Sequence, residues 1–451
     1  MAKLAFYGGI DEIGGNKILL SDGDTRIFID FGENFEKERQ FFDEPYLAPR
    51  EEKHLLSLGI LPDLPGLYKS DERETSINAV LLSHPHVDHT GYVRYIKPDI
   101  NICCDEITKT MIVAREFSSR HPSEYAIAKL TKTSGEEIFN KFQEISVGRP
   151  EKIDSVEIEP IEVDHSTLGA CGFLIHTSEG CVVYTGDFRM HGPRREASEK
   201  FIEIAQKSKP EALIIEGTNI ADAGMTSESE VKEKIDELVS KSPHLTMVSL
   251  SSIDIHRLKT LYDVAKKNNR KLGVSMKQAF LLDALNTVCK SSIIDLRDPD
   301  ICIFQRQKKR LDEWENRVCT KYSNVKQCEE LSKIQDDLIL VTSFYDMNEM
   351  CDLKPKTGSK FIVSQSEPFN EEMEIDHKKL LNWLEHYGLP LYNIHASGHA
   401  YPHDLKEAIA TISPQKVFLV HTERPKLYRK YIEDLKIITV CPELAKEYPI
   451  K

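Results

Sequence analysis

A dense group of potential metal ligands occupies residues 81–91, which read Leu81-Leu82-Ser83-His84-Pro85-His86-Val87-Asp88-His89-Thr90-Gly91. Three histidines and one aspartate fall within six positions, although the chain of 451 residues has 16 histidines in all. Imidazole and carboxylate are good ligands for zinc-like divalent cations. On extended backbone, His84 and His86 point the same way. The pattern therefore predicts a metal site, in preference to a polar loop that is rich in histidine by chance.

The residues on either side of this motif indicate where it lies in the fold. The apolar run Ala79–Leu82 is typical of a buried strand. Asp88 and His89 come where a strand would give way to a helix, and there they could hold a second ion beside the first. Four side chains cannot complete two metal sites, so two or three further histidines or carboxylates are needed.

Candidates for the missing ligands follow predicted strands elsewhere in the chain. His165 comes at the end of the strand predicted at 156–163, and Asp187 follows the strand predicted at 181–184. Asp30 ends another apolar strand, where a carboxylate either orients a ligand histidine or serves as a turn residue. Further imidazole or carboxylate groups in similar positions are Glu216, His399 and His421.

Composition restricts the class of protein. The net charge of −14 argues against passive coating of nucleic acid, but a metal cleft with local arginines can bind phosphate within an acidic protein. The ten cysteines show no CxxC spacing, which predicts free thiols in a reducing compartment. No apolar run approaches the ~18 residues that a membrane span needs, and the first residues lack the apolar core of a signal peptide. We therefore expect a cytoplasmic protein without a membrane partner.

The pattern of predicted elements also changes along the chain. Residues 33–76 are polar and irregular, which favours a lid or a surface excursion. Residues 105–138 look largely helical. Strands and helices then alternate between residues 246 and 290, as in a parallel α/β sheet. The charged segment 305–336 looks helical, and we favour a solvated helix face over a nucleic-acid patch.

These motifs together resemble a known superfamily. The elements of the metallo-β-lactamase pattern are HxHxDH (His84, His86, Asp88, His89), a strand-end His165, TGDF with Asp187, and LVH with His421. Glu216-Gly217-Thr218 and the segments of His399 and His421 are similar to the signature motifs of the β-CASP nucleases. Within that group the chain resembles ribonuclease J. The matching segments are Tyr7–Asn16, Ile255-His256-Arg257 and His395–Ala400.

The resemblance implies a fold and a domain order. The fold is α/β, an αββα metallo-β-lactamase sandwich interrupted by an inserted β-CASP α/β domain. We expect the first part of the sandwich at 1–210, the insert at 211–385 and the second part at 386–451. The chain ends 30 residues after His421. We therefore expect the C-terminal domain that is common in the family to be absent.

The resemblance also implies a site with two Zn²⁺ per chain, and Mn²⁺ could serve instead. The implied ligands are His84, His86 and His165 for one ion, Asp88, His89 and His421 for the other, and Asp187 between them. Asp30 matches the aspartate of the first motif and would support a ligand. Glu216 and His399 match residues that support catalysis, with His399 as candidate general acid. The residues implied for binding a substrate phosphate are Ser397, Gly398, His399 and Ala400.

The implied function is a metal-dependent ribonuclease, in which a water activated by two zinc ions hydrolyses RNA phosphodiester bonds. We expect 5′-to-3′ exonuclease action, with endonuclease action open. The alternatives are a DNA nuclease of the same superfamily, a non-catalytic RNA-binding relative and an ester hydrolase. The sequence also leaves open whether the chain binds single-stranded DNA and whether it forms a homodimer. The chain departs from the family at Gly15, where Lys is common, at Met190–Pro193, and at Asp254, where Asn is usual.

Overall fold

Two facing β-sheets and a third, separate sheet form the framework of the chain. The computed structural model describes residues 1–43, 47–49, 51–119, 130–131, 137–138, 142–222, 224–289, 293–365 and 371–451. Within these ranges, each of the three sheets has seven strands.

The first third of the chain builds most of the first sheet. Its strands, in chain order and with one separate pair (β6 and β7), are β1 (Ala2–Gly8), β2 (Lys17–Asp22), β3 (Thr25–Ile29), β4 (Ala79–Leu81), β5 (Asn101–Cys104), β6 (Leu130–Thr131), β7 (Glu137–Ile138) and β8 (Phe142–Glu144). The helices are α1 (Phe35–Arg39), α2 (Glu52–Ser57), α3 (Val87–Thr90) and α4 (Glu106–Phe117), with a 3₁₀ helix at Gly91–Tyr95. β3, β4, β5 and β8 are parallel neighbours, and every residue of β4 is buried, as expected for a central parallel strand.

The second sheet begins with an antiparallel meander. Its strands from this part of the chain are β9 (Glu151–Ile153), β10 (Val156–Glu162), β11 (Cys171–Thr177), β12 (Gly180–Tyr184) and β13 (Ala212–Ile215). α5 (Arg195–Ser208) joins β12 to β13, which pair in parallel. This crossover brings the residues that follow β12 and β13 to the same edge of the sheet.

The third sheet belongs to the insert, and every strand pairing recorded in it is parallel. Its strands are β14 (Thr246–Ser249), β15 (Lys271–Ser275), β16 (Ile301–Phe304), β17 (Val325–Lys326), β18 (Leu338–Thr342), β19 (Lys360–Val363) and β20 (Leu391–Asn393). Its helices are α6 (Glu228–Ser240), α7 (Ile255–Lys267), α8 (Met276–Val288), α9 (Glu313–Lys321), α10 (Cys328–Leu331), α11 (Met350–Leu353) and α12 (Glu371–Tyr387), with 3₁₀ helices at Ser332–Asp337 and Phe344–Glu349. The strand–helix alternation predicted for residues 246–290 is confirmed.

The last part of the chain returns to the sandwich. Its elements are α13 (Pro402–Ile412), β21 (Lys416–Leu419), α14 (Pro425–Tyr431), a 3₁₀ helix (Glu433–Leu435), β22 (Ile438–Val440) and β23 (Glu447–Pro449). β21 lies between β13 and β22 in the second sheet, whereas β23 pairs with β1 in the first. The sandwich is therefore complete only after the chain has passed through the insert.

The hydrophobic cores show the layer order. One core lies between the two facing sheets, with Phe6 from the first sheet and Phe173 and Phe418 from the second. A second core covers the outer face of the first sheet, and a third packs α5 and α13 on the outer face of the second. Two more cores flank the insert sheet. The predicted αββα sandwich with an inserted α/β domain is confirmed.

Strand pairing moves both expected boundaries of the insert. β13, expected within 211–385, pairs with β12 and β21 and belongs to the sandwich. β20, expected in the returning part 386–451, pairs with β19 in the insert sheet. Because hydrogen-bonded strands form one structural unit, we propose an insert that spans residues 216–394.

Two expectations about segments need correction, and a third is narrowed. The described residues of 33–76 form α1 and α2 and bury Leu55, Leu61 and Tyr68 in the core outside the first sheet, which favours the surface excursion of the two alternatives. The helix expected over 105–138 ends at Phe117, and residues 130–131 and 137–138 are short strands; most residues between them lie outside the described ranges. The segment 305–336 includes a strand as well as short helices.

In the described ranges, no helix combines the length and the apolar character that crossing a membrane requires.

Candidate metal centre and catalytic cleft

The histidine-rich motif lies between a buried strand and a short helix, as predicted. β4 ends at Leu81, and α3 begins after His86, whose backbone is extended (φ −63°, ψ 149°). The strand directs the motif towards one edge of the sandwich. The helix then turns Asp88 and His89 back towards the same edge.

The first predicted ligand group forms a close cluster. His86 Nδ1 lies 3.0 Å from His84 Nε2 and 3.0 Å from His165 Nε2. Three nitrogens held by one tetrahedral zinc at ~2.0–2.1 Å are about 3.3 Å apart, so the spacing suits a shared ion. His165 follows β10, which places it opposite the motif across the sandwich.

The second predicted group joins residues that are more than 300 positions apart in the chain. Asp88 Oδ2 lies 3.2 Å from His421 Nε2 and 3.8 Å from His89 Nε2. His421 follows β21, so the return of the chain from the insert supplies this ligand.

Asp187 lies between the two groups. Its Oδ2 is 3.6 Å from His84 Nε2, 3.1 Å from His89 Nε2 and 3.7 Å from His421 Nε2. A carboxylate in this position could bind both ions of a two-metal centre. The same carboxylate also lies 3.7 Å from His399 Nδ1, in a third group with Glu216 and His421.

Unsatisfied buried atoms show that cations fit these residues. Among the described residues, both carboxylate oxygens of Asp187 and Nε2 of His89 are buried without a hydrogen bond of acceptable geometry. Buried polar atoms in folded proteins are rarely left in that state. Positive ions placed between the two ligand groups would satisfy all three atoms.

The electrostatics of the cleft also favour cations. Burial lowers the pKa of His84 and His165 well below the usual value and that of His86 to about 4, which favours the neutral ring that a metal ligand requires. Burial opposes the charge of His89, but Asp187, Asp30 and Asp88 together raise its pKa well above the usual value. The carboxylates thus attract a positive charge, and a divalent cation could replace that proton.

Asp30 contacts the cluster on the side away from the cleft. Its Oδ2 accepts hydrogen bonds from Tyr184 (2.6 Å) and Ser83 Oγ (2.8 Å) and lies 2.7 Å from His89 Nδ1. Ser83 Oγ also lies 2.9 Å from His84 Nδ1. Sequence reasoning missed Ser83 and Tyr184, although both directly adjoin the predicted motifs.

Two of these side chains sit on strained backbone. Asp30 has φ +56° and His421 has φ +52°, in the left-handed region that residues other than glycine rarely adopt. Such strain costs of order 1–3 kcal/mol and persists where the surrounding structure enforces it. Here it turns both side chains from the ends of β3 and β21 into the cleft.

Glu216 and His399 form a pair beside Asp187. Glu216 Oε2 lies 2.9 Å from His399 Nδ1, and Glu216 Oε1 accepts a hydrogen bond from the Phe188 amide at 3.0 Å. Burial acts to lower the pKa of His399, but Glu216 and Asp187 raise it to about 9. Thr218, which the sequence placed in a motif without a role of its own, has its Oγ1 3.2 Å from His399 Nδ1 and 2.8 Å from His421 Nδ1.

The segment expected to bind phosphate is held by its carbonyl groups. The Gly398 carbonyl lies 2.5 Å from His165 Nδ1, so it fixes the orientation of a predicted metal ligand. The Ser397 carbonyl accepts hydrogen bonds from His191 Nε2 (2.9 Å) and Arg189 Nη1 (3.3 Å). Ala400 is wholly buried in the core outside the second sheet, so its side chain does not face the cleft.

A buried charge network beneath this segment joins the sandwich to the insert. Glu228 at the start of α6 accepts hydrogen bonds from Arg189 Nη1 (2.7 Å) and from Arg257 Nε (3.0 Å) and Nη2 (2.7 Å). Burial acts to raise the pKa of Glu228, but the two arginines lower it to about 2. Asp164 completes the network 3.3 Å from Arg189 Nε. Nothing in the sequence around Glu228 indicated this role.

The structure thus brings the predicted ligands, Asp30, Glu216 and the Ser397–His399 segment together at one edge of the sandwich. Metal binding by these residues stays a prediction.

Comparison with known proteins agrees with this architecture. Residues 61–247 match the β-lactamase superfamily domain, and residues 390–442 match the RMMBL family, described as a Zn-dependent metallo-hydrolase RNA specificity domain. The chain therefore carries a metallo-β-lactamase domain together with an RMMBL domain of the β-CASP group.

Among individual proteins, the chain is a distant homologue of ribonuclease J over most of its length. It is 24% identical to ribonuclease J of Mycoplasma pneumoniae over 435 residues, covering 93% of this chain and 68% of that one. It is 23% identical to ribonuclease J of Pyrococcus abyssi over 477 residues, covering 99% and 93%. A crystal structure of a protein of unknown function from Enterococcus faecalis V583 has the same fold, with a TM-score of 0.77, 22% identity and 99% coverage of both chains.

Proposed function

We propose that this chain is a metal-dependent ribonuclease that hydrolyses RNA phosphodiester bonds, mainly as a 5′-to-3′ exonuclease with some endonuclease action. The observation that carries the proposal is the position of His399. This residue comes from the RMMBL segment, yet its ring lies beside the predicted bridging ligand Asp187. The similarity to an RNA specificity domain and to two ribonucleases J favours RNA as the substrate.

The predicted ligands suit phosphodiester hydrolysis. When bound, two divalent cations would polarise the phosphate and activate the attacking water. The chain itself contributes the fixed arrangement of ligands: His84 and His89 approach Asp187 from the first sheet, and His421 approaches it from the second.

His399 is our candidate general acid. Its Nδ1 is held by Glu216 at 2.9 Å, which leaves Nε2 available to the substrate. The side chain is 20% exposed, whereas that of Glu216 is 1% exposed, so the imidazole reaches the cleft and the carboxylate orients it from below. As water adds to phosphorus and the bond to the 3′ oxygen breaks, His399 would protonate that leaving oxygen.

Ser397 is our candidate for binding the 5′-terminal phosphate. Its Oγ accepts hydrogen bonds from Asn219 Nδ2 (2.9 Å) and the His399 amide (3.2 Å). A hydroxyl has one donor in addition to two acceptor positions, so the Ser397 proton remains for a phosphate oxygen. Because Gly398 adjoins the predicted ligand His165, a terminal phosphate bound here would present the next linkage to the metals.

Three RNAs of one sequence, with 5′-monophosphate, 5′-hydroxyl and 5′-triphosphate ends, test this proposal alongside single-stranded DNA and a generic ester. We expect mononucleotides to be released fastest from the monophosphorylated RNA. Equal rates on all three RNA ends would refute the role of the terminal phosphate. Faster cleavage of DNA, or hydrolysis of the ester alone, would refute the ribonuclease itself.

Two histidine variants test the proposed acid. His399→Ala should retain its metal and lose cleavage rate by at least about 10²-fold, the usual contribution of a general acid. His403→Ala is the matched control, because His403 lies on α13 nearby with half of its side chain exposed. An unchanged rate in His399→Ala would exclude the acid role and leave the metal site unaffected.

A further inference from the structure

Arg115 on α4 lies outside the predicted ligand set, yet its guanidinium reaches the backbone of the metal motif. Nη1 donates a hydrogen bond to the Pro85 carbonyl at 2.5 Å, and Nη2 donates to Thr90 Oγ1 at 3.1 Å. Pro85 stands between His84 and His86, two of the three histidines of the first cluster. Arg115 is therefore hydrogen-bonded to the motif at two points, one near its start and one at its end.

Thr90 links Arg115 to the backbone of His86, which is a predicted ligand. Its Oγ1 donates a hydrogen bond to the His86 carbonyl at 2.9 Å, and its amide donates to the same carbonyl at 3.0 Å. Arg115, Thr90 and the turn after His86 therefore form one hydrogen-bonded unit. The two nitrogens of the guanidinium are fixed in one plane, so they set the distance between the two points that they hold.

The two halves of the motif differ in their other supports. The helical half has further backbone contacts: Asn16 donates to the Asp88 carbonyl (3.2 Å), and Phe31 donates to the His89 carbonyl (2.8 Å). In the described part of the chain, the Arg115 guanidinium is the hydrogen-bond donor to the Pro85 carbonyl. Ser83 and the start of α3 still hold the backbone on either side, so loss of Arg115 should loosen the motif at Pro85, between His84 and His86.

We infer that Arg115 is a positioning residue for the metal ion of His84, His86 and His165. The inference rests on the metal-dependent hydrolase proposed above, and it assigns a role to a residue outside the motifs. His86 Nδ1 lies 3.0 Å from a nitrogen of His84 and 3.0 Å from a nitrogen of His165, and one ion can bind all three rings only while the backbone between His84 and His86 is held in place. Partners that orient metal ligands typically contribute 10- to 100-fold to metal affinity.

Two substitutions separate geometry from charge. Arg115→Met removes both the planar guanidinium and its charge. Arg115→Lys keeps the charge but replaces the guanidinium with a single ammonium group, which cannot hold two acceptors in a fixed plane. Arg195→Met is the matched control, because Arg195 is an exposed arginine on α5 that pairs with Glu199. Zinc content and affinity are measured at buffered free zinc, together with the visible spectrum of the Co²⁺-loaded protein and the unfolding midpoint of the metal-free protein.

We expect wild type and Arg195→Met to bind two ions per chain. Both Arg115 variants should bind one ion 10- to 100-fold more weakly and the other normally, with a changed Co²⁺ spectrum and a metal-free midpoint that stays above the assay temperature. Wild-type affinity in Arg115→Lys would refute the role of the planar guanidinium. Equal weakening of both ions, or a metal-free protein that is unfolded at the assay temperature, would refute site-specific positioning. Wild type that binds two ions but cleaves no RNA would refute the proposed ribonuclease and leave this inference standing, whereas wild type without metal would refute both.

Discussion

Lys17 is a buried cation whose removal should change how stability depends on pH. It is the first residue of β2, it is wholly buried, and its Nζ donates a hydrogen bond to the Gly15 carbonyl at 2.9 Å. The ammonium also lies 4.9 Å from the centre of the Tyr92 ring. Burial lowers the pKa of Lys17 from 10.5 to about 7, and Glu12 opposes this effect.

The sign and size of the effect follow from this pKa. Between pH 7 and pH 10.5 the unfolded chain still binds the proton, whereas the folded chain has released it, so the free energy of unfolding rises with pH. Below pH 7 both states bind the proton, and the full cost of burying the ammonium is present. From pH 7 to pH 9 this single group should add about 2 kcal/mol to the stability of the wild type.

Lys17→Met removes the titrating group and keeps an apolar stem of similar length. Urea unfolding, followed by far-UV circular dichroism at pH 7 and pH 9, gives the difference in unfolding free energy between variant and wild type. We expect that difference to shift by about 2 kcal/mol in favour of the wild type as the pH rises. Lys3→Met, at an exposed position on β1, is the control. A difference for Lys17→Met that stays constant with pH would refute the reasoning.

Two further substitutions test the site and its support. Asp187→Ala should reduce bound zinc from two ions to fewer than one per chain and abolish RNA cleavage, because both predicted ligand groups share this carboxylate. Cleavage at the wild-type rate would refute the two-metal assignment. Glu228→Gln should lower the free energy of unfolding by about 3 kcal/mol, because it leaves two buried arginines without the negative charge that they share. Denaturant unfolding measures this loss. Wild-type stability in the variant would show that the network contributes nothing.

Much of the site could be predicted from the sequence because its ligands stand at strand ends. His84, His165 and Asp187 each follow an apolar run that a period-two or fully buried pattern reveals. Strands that run the same way deliver such residues to one edge of a sheet. The resemblance to a known family added the division into two ligand groups, and the potential ligand atoms of each group lie within 4.8 Å of one another.

The boundaries of the insert were harder to predict, because apolar strands look alike whichever sheet they join. The apolar run before Glu216 predicts β13 as a strand, but the partners of β13 and β20 lie in other parts of the chain. For a related reason, the sequence left a lid and a surface excursion both open for the segment 33–76. Its buried Leu55 and Tyr68 are separated by polar residues, and no helical or strand period identifies them.

The sequence by itself determined the chemistry of the site: histidines and carboxylates at spacings that suit divalent cations, together with a Glu216 and a His399 to accompany them. Only the tertiary structure decided which of these groups act together and what holds them. His421 meets Asp88 across 333 positions because β21 returns from the insert to complete the second sheet. Packing between distant elements also produces the hydrogen bonds of Arg115 to the motif and the pairing of Glu228 with two arginines. Such contacts leave no local pattern in a sequence.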